Sequence, residues 1–363
     1  MSDRKERKTA GRVLAFDTSN YTTSVAVADL SGNILADCRK LLTVKEGERG
    51  LRQSHALFQH VKNLPELLRQ AAEQAECRPE DICAVAVSSR PRPVEGSYMP
   101  VFLAGVSTAE SIASVLGVVV YRYSHQEGHI AAAAGVSDES VRSVSFHMSG
   151  GTGEILDTRG CRPVAVIGGT RGLSFGQLID RTGVALGFGF PAGTALDEIA
   201  CRAVSEKRLS YSSRGNTKIE NPVTKSVHTE GAYVDLSGIE TQLLREIERW
   251  KMTEDQKRGG ENKICRTESA AEEKIVTELF CRIADALVKM SVHALQMTGT
   301  DLILFVGGVS ASRFLREELT RRLASRGFRA VFGDPRMSPD NACGIARLGA
   351  AEYLRSSAGR LPK

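Results

Sequence analysis

Two hairpins of the same build constrain this chain more than any other feature. The first runs along the apolar strand Val13-Leu14-Ala15-Phe16 and turns through Asp17-Thr18-Ser19-Asn20-Tyr21-Thr22-Thr23. It returns along Ser24-Val25-Ala26-Val27-Ala28. The second runs along Val144-Ser145-Phe146-His147-Met148, turns through Ser149-Gly150-Gly151-Thr152-Gly153 and leaves along Glu154-Ile155-Leu156-Asp157. The hydroxyls and carboxylate of the first turn can hold a metal or a phosphate, and the glycines of the second let main-chain N–H groups approach an anion. A hairpin that recurs in this way predicts two similar halves facing one cleft.

Other elements alternate around the hairpins. Leu57, Phe58, Val61, Leu64, Leu67 and Leu68 recur at helical spacing between Ser54 and Ala75. A buried strand, Ile82 to Val87, follows, then a helix from about Phe102 to Leu116 and a β-rich run, Leu116 to Tyr121. Strand, hairpin, helix, strand, helix, strand is the pattern of an α/β domain. The second half adds a helix from Glu240 to Trp250, a long helix from Glu272 to Leu295, a strand from Asp301 to Val306 and a helix from Arg313 to Arg326. Ser205 to Thr229 reads as a polar, basic excursion, and Thr253 to Arg266 as a charged, mobile segment.

With 363 residues the chain has room for two domains. Its 42% hydrophobic and 25% charged content is that of a soluble globular protein. No apolar run is long enough to span a bilayer, so no membrane partner is expected. Met1 to Gly11 is charged and lacks the apolar core of a signal peptide. The eight cysteines include no Cys-x-x-Cys pair and read as reduced thiols in the cytoplasm. A net charge of +5 permits a nucleic-acid partner without requiring one.

Between the hairpins lies Ser124-His125-Gln126-Glu127-Gly128-His129-Ile130, where the β-rich run hands over to Ala131-Ala132-Ala133-Ala134. Four residues apart on a helix, His125 and His129 share one face and can grip one divalent metal, which then needs a third ligand. The zinc-peptidase pattern requires Glu directly after the first His. Gln126 stands there, which argues against a peptidase. Asp340, just before the last helix, is a candidate third ligand or a plain helix cap.

Three further stretches suit a nucleotide or an anion. Asp180 and Asp197 bracket a glycine-rich loop containing Gly193; a carboxylate can accept two hydrogen bonds from a ribose diol, or it can cap a helix. The strand ending at Val306 meets Gly307-Gly308-Val309-Ser310-Ala311-Ser312 and then a helix, a junction that exposes N–H groups and the positive end of the helix dipole. The segment from Arg90 to Pro100 carries three prolines, which exclude helix or central strand. Proline stiffens it, so Arg90 and Arg92 either grip a phosphate or carboxylate through their planar forks or stay solvated on a rigid surface loop.

Taken in order, these motifs resemble the TsaD/Gcp family, the tRNA threonylcarbamoyltransferases of the actin/Hsp70/sugar-kinase superfamily, from about Val13 to Leu354. His125 to His129 is similar to the family's metal motif, and Asp340-Asn341 to the pair that completes it. Ser149-Gly150-Gly151 resembles its second phosphate hairpin, Asp180, Gly193 and Asp197 its nucleotide pattern, and Gly307-Gly308 with Ser312 its adenosine motif. Asp235 to Thr241 resembles a family stretch in which Lys is usual at the place of Glu240.

The resemblance implies an α/β fold of two similar actin-like (ribonuclease H-like) domains around a nucleotide and metal cleft. The expected divisions are a tail over 1–12, a first domain over 13–123, a second over 124–354 with an insertion at about 200–295, and a tail over 355–363. It implies one iron or zinc on His125, His129 and Asp340, with threonylcarbamoyl-adenylate or another adenine nucleotide held by Ser149, Gly150, Gly151, Asp180, Gly193, Asp197, Gly307, Gly308 and Ser312. The implied partners are tRNA and other threonylcarbamoylation proteins.

The chain departs from the family's pattern in several places. The family's Glu-Thr-Ser-Cys-Asp-Glu-Thr is here Asp17-Thr18-Ser19-Asn20-Tyr21-Thr22-Thr23, and Thr152-Gly153 replaces its His-Thr. Ser312 replaces its Asn, and Arg90 to Pro100 replaces a short glycine-rich loop. The alternative is a paralogue that binds metal and adenine nucleotide for another carbamoyl transfer or as a regulatory subunit.

Overall fold

The computed structural model describes residues 11–19, 21–44, 51–135, 140–205, 210–211, 217–218, 221–257 and 269–358. They form two compact units. One is built from 1–141, 159–163 and 333–363, the other from 142–158 and 164–332.

In the first unit, β1 (Arg12–Asp17), β2 (Thr22–Asp29) and β3 (Ile34–Leu41) form an antiparallel meander. β4 (Ile82–Arg90) lies parallel to β1 and β5 (Val119–Ser124) parallel to β4, so the order is β3-β2-β1-β4-β5. Side chains alternate across the sheet. Leu14, Phe16, Val25, Val27, Val85 and Val87 face α1 (Gln53–Gln74) and α2 (Phe102–Leu116). The opposite face is built from small residues, Val13, Ala15, Ala26, Ala28, Ala84 and Ala86, which leaves room for a helix to sit close. β5 runs directly into α3 (His125–Ala134).

The second unit opens with β6 (Arg142–Met148), β7 (Gly153–Arg159) and β8 (Arg162–Thr170). α4 (Phe175–Leu186) and α5 (Gly193–Ser205) follow. Two short pairs come next, β9 (Ser210–Tyr211) with β10 (Thr217–Lys218), and β11 (Thr229–Glu230) with β12 (Tyr233–Val234). The chain continues through α6 (Ser237–Lys257), α7 (Ala270–Thr298), β13 (Leu302–Val306), α8 (Arg313–Ala324) and β14 (Arg329–Phe332). β13 is parallel to both β6 and β14. Within the sheet, β8-β7-β6-β13-β14 repeats the order of the first unit, with β11 and β12 added at the β8 edge.

The expected stripe on α7, Ile275, Leu279, Ile283 and Leu287, is buried, but so are Val276, Phe280, Ala284 and Val288. The helix is the centre of this unit rather than its wall. The buried Glu278 carboxylate accepts from the backbone N–H of Val223 and Thr224, each at 2.8 Å, so the end of the polar excursion is pinned to α7. Residues 206–209, 212–216 and 219–220 of that excursion, and the charged stretch from 258 to 266, lie outside the described residues.

The chain then returns to the first unit as α9 (Cys343–Ala358). Cys343, Ile345, Ala346 and Ala350 cover the small-residue face of β1, β2 and β4. The division therefore differs from the expected boundary after Tyr123. Both α3 and the last helix belong to the first unit: α9 covers the sheet face built there, and α3 packs on α9.

Candidate metal centre

Ser124 starts α3. Its hydroxyl accepts from Glu127 N–H, and the Glu127 carboxylate accepts from Ser124 N–H at 2.7 Å, a reciprocal capping box. Glu127 therefore caps the helix that carries both histidines. The cap places His125 at the first helical position and His129 one turn later. Asp340 arrives on the segment before α9. The buried Asn341 holds that segment: its amide donates to Met337 O at 2.9 Å and to Pro339 O at 2.8 Å, and its oxygen accepts from Cys343 N–H at 3.0 Å. Ala342 N–H donates to Ser24 Oγ on β2 at 2.9 Å.

These elements bring the three expected ligands together. Nε2 of His125 and Nε2 of His129 are 3.0 Å apart, and each lies 3.3 Å from Asp340 Oδ1. Neighbouring ligands of a tetrahedral ion with bonds of 2.0–2.1 Å are about 3.3 Å apart, so the donors already stand at coordination spacing. Two imidazoles and a carboxylate suit iron or zinc. Among the described residues, these three are the group of acidic, His and Cys donors close enough to hold one ion.

A fourth group reaches the cluster. Asp17, at the end of β1, has Oδ2 3.0 Å from Nδ1 of His125. Burial works against charge on His125, but Asp17 and Asp340 outweigh it and raise the ring to about 10. His129 is lowered by burial and by the positive ring of His125, more than Asp340 restores. Burial alone would raise Asp340, yet its hydrogen bonds to the two rings hold it well below the usual carboxylate range. To hold a cation, both imidazoles would be neutral, each offering the lone pair of Nε2 beside the ionised Asp340 carboxylate.

The residues expected to hold a nucleotide lie in the second unit. β6 and β13 run parallel with Val306 beside His147, so their C-terminal ends lie side by side. In open α/β sheets such ends are the usual ligand crevice. Gly307 has φ +90, and a Cβ there would lie 2.4 Å from Met148 O. Glycine is required at that position by the fold itself. Gly150, Gly151 and Gly308 are different: a Cβ on any of them would meet nothing within 4 Å. Ser149 Oγ accepts from Thr152 N–H at 3.1 Å and shapes the turn. A Cβ on Gly176 would be 2.7 Å from Gly150 Cα, so the start of α4 abuts the same turn.

Asp180 and Asp197 each accept hydrogen bonds from protein groups. Asp180 accepts from Ala192 N–H at 2.8 Å, and burial raises it. Asp197 accepts from Ser312 Oγ at 2.5 Å, from Arg313 N–H at 2.9 Å and from Phe314 N–H at 3.2 Å. Each carboxylate holds a helix start, Asp180 that of α5, which begins at Gly193, and Asp197 that of α8. Glu240 pairs with Arg181 at 3.0 Å. Arg90 ends β4 and is exposed, as is Arg92, whose N–H donates to Ser97 Oγ at 3.0 Å. Pro91 O accepts from Gln126 N–H at 3.3 Å, so the proline loop rests on the first turn of α3.

The sequence reading missed the role of Asp17 toward His125, although it noted Asp17 as a strand-end carboxylate. It also missed Ser24 and the clamp at Asn341. The contacts of Asp17 with His125 and of Ser24 with Ala342 join residues far apart in the chain, so no local pattern carries them, whereas the Asn341 clamp is local.

Comparison with known proteins places this geometry in context. The family model for TsaD, tRNA N6-adenosine threonylcarbamoyltransferase, matches residues 43–347. The tRNA N6-adenosine threonylcarbamoyltransferase of Aromatoleum aromaticum is 26% identical over 353 residues, 96% of this chain and 92% of that protein. Its counterpart from Neorickettsia sennetsu is 27% identical over 353 residues, 96% and 95% of the two chains. Among solved structures, component A of (R)-2-hydroxyglutaryl-CoA dehydratase from Acidaminococcus fermentans matches with a TM-score of 0.51 and 10% identity, covering 95% of this chain and 99% of that one. Full-length HypF in its phosphate- and nucleotide-bound form matches with a TM-score of 0.52 and 14% identity, covering 96% and 47%. At these identities the structural likeness speaks for the fold alone: two actin-like α/β halves.

Proposed function

The chain belongs to the tRNA N6-adenosine threonylcarbamoyltransferase family, and from that premise we propose that it transfers threonylcarbamoyl from its adenylate to the exocyclic amine of the tRNA adenosine next to the anticodon. In this transfer the adenosine nitrogen forms a bond to the carbamoyl carbon. The bond from that carbon to the phosphate oxygen breaks, AMP leaves, and the attacking nitrogen gives up one proton. The observation that carries the reading is the family match across residues 43–347, a span that includes the assembled His125, His129 and Asp340 cluster.

His125, His129 and Asp340 would hold one iron or zinc ion. Such an ion supplies Lewis acidity to donor oxygens when bound. The protein groups do the positioning. The turn at Ser149, Gly150 and Gly151 and the junction from Gly307 to Ser312 present N–H groups and a helix start to the adenylate phosphate. Asp180 and Asp197 set the helices beside those turns, and the lone pairs they have left would meet the ribose. Arg90 and Arg92 would take the donor carboxylate or an acceptor phosphate as planar forks. The tRNA substrate and other threonylcarbamoylation proteins are the proposed partners, and the cytoplasm the proposed compartment.

The deciding experiment incubates the purified protein with threonylcarbamoyl-adenylate and unmodified tRNA, then digests the tRNA to nucleosides for mass spectrometry. Appearance of threonylcarbamoyladenosine and release of AMP supports the reading. If donor is consumed without modified nucleoside, tRNA is not the acceptor.

A further inference from the structure

Asp17 stands at the C-terminal end of β1, 1% exposed, with Oδ2 3.0 Å from Nδ1 of His125. We propose that Asp17 is the positioning residue of the metal centre: its carboxylate accepts the Nδ1 proton of His125, fixes that tautomer, and so makes Nε2 the ring's metal donor. This assignment rests on reading His125, His129 and Asp340 as metal ligands.

Three independent observations support it. Strand alternation puts Val13, Ala15 and Asp17 on one face of β1, the face that α9 covers, so the carboxylate is aimed by the sheet. The orientation of the carboxylate is also preset. Oδ1 accepts from Ser19 N–H at 2.8 Å, and the next residue, Thr18, is tied to α2 by a bond to Val101 O at 2.9 Å and another from Gly105 N–H at 3.1 Å. Finally, the ring is turned the right way. While Nδ1 meets Asp17, Nε2 points at His129 Nε2, 3.0 Å away, and at Asp340 Oδ1, 3.3 Å away.

A carboxylate on the distal nitrogen orients a ligating imidazole and raises its basicity, and removing such a partner costs about 10–100-fold in metal affinity. A plain buried ion pair would contribute to stability instead, with no effect on which nitrogen holds the metal.

The test uses full-length protein with zinc(II) or cobalt(II) alone as probe. Wild type, Asp17→Asn and Asp17→Ala are titrated against a chelator, and ring ¹⁵N spectra report the protonation of His125. Asn can still accept from Ser19 N–H, so Asp17→Asn guards against a misfolded Ala variant. The expected result is a loss of about 10–100-fold in zinc affinity in the folded variants, an altered cobalt spectrum, and a wild-type His125 that carries its proton on Nδ1 in the zinc form. Unchanged zinc affinity in folded Asp17→Asn, or ligation of wild type through Nδ1, overturns the assignment. If wild type itself takes up neither ion, the metal reading of the three ligands fails first, and this assignment with it.

Discussion

A Cβ built on Gly344 would lie 1.9 Å from the carbonyl oxygen of Gly128. α3 and α9 therefore meet backbone to backbone, and that contact delivers His125 and His129 to Asp340. Gly128, in the middle of the His-Gln-Glu-Gly-His run, faces Ile345 in the same seam, with its own Cβ position 2.9 Å from Ile345 Cδ1.

Gly344→Ala should consequently push the two helices apart. The expected loss is about 1–3 kcal/mol of stability, with weakened metal uptake, since overpacking against backbone cannot relax through a rotamer. Gly128→Ala meets a flexible side-chain end and should be milder. Thermal unfolding of the two variants checks this. A Gly344→Ala protein as stable as wild type would mean that the helices do not pack as described.

Metal content is the next readout. Protein purified without chelator should carry about one iron or zinc ion per chain, and His125→Ala or Asp340→Ala should lose it, because each removes one of three protein ligands. Elemental analysis decides. Wild type that stays metal-free after incubation with iron and zinc contradicts the centre.

The two glycines of the β13–α8 junction should behave oppositely. Gly308 has open space at its Cβ position, whereas a Cβ on Gly307 would lie 2.4 Å from Met148 O. Gly308→Val should fold normally and lose adenine-nucleotide affinity, while Gly307→Ala should lose stability. Calorimetry with ATP and AMP, alongside thermal melts, separates the two. Equal nucleotide affinity in Gly308→Val and wild type would remove this junction from the binding site.

The proline loop gives a fourth prediction. Replacing Arg90 and Arg92 together by Ala should weaken donor or acceptor binding by about tenfold or more, the scale of one charge-assisted hydrogen bond, and leave AMP affinity alone. Both side chains are exposed, so the fold should not suffer. Unaltered substrate binding in the double variant would return the loop to a rigid surface feature.

The sequence by itself determined most of the elements and singled out His125, His129 and Asp340, the donors that the structure brings together. Short apolar runs located β1, β4, β6 and β13, which are buried on both faces, and helical spacing located α1 and α7, since burial is written locally. The spacing of His125 and His129 is likewise local, and Asp340 was found by motif order. The tertiary structure alone decided the rest. Whether Asp180 and Asp197 serve as helix-start acceptors depends on which N–H groups arrive beside them, from α5 and α8. The partner of His125 Nδ1 is set by where β1 ends relative to α3. Membership of α9 in the first unit follows from the small-residue face of β1, β2 and β4 that it covers, and that of α3 from its close packing on α9. Local sequence records which faces are apolar and which turns are tight. It does not record which distant group fills a given lone pair, because that pairing costs chain entropy and is repaid only once the whole sheet and its helices are in place.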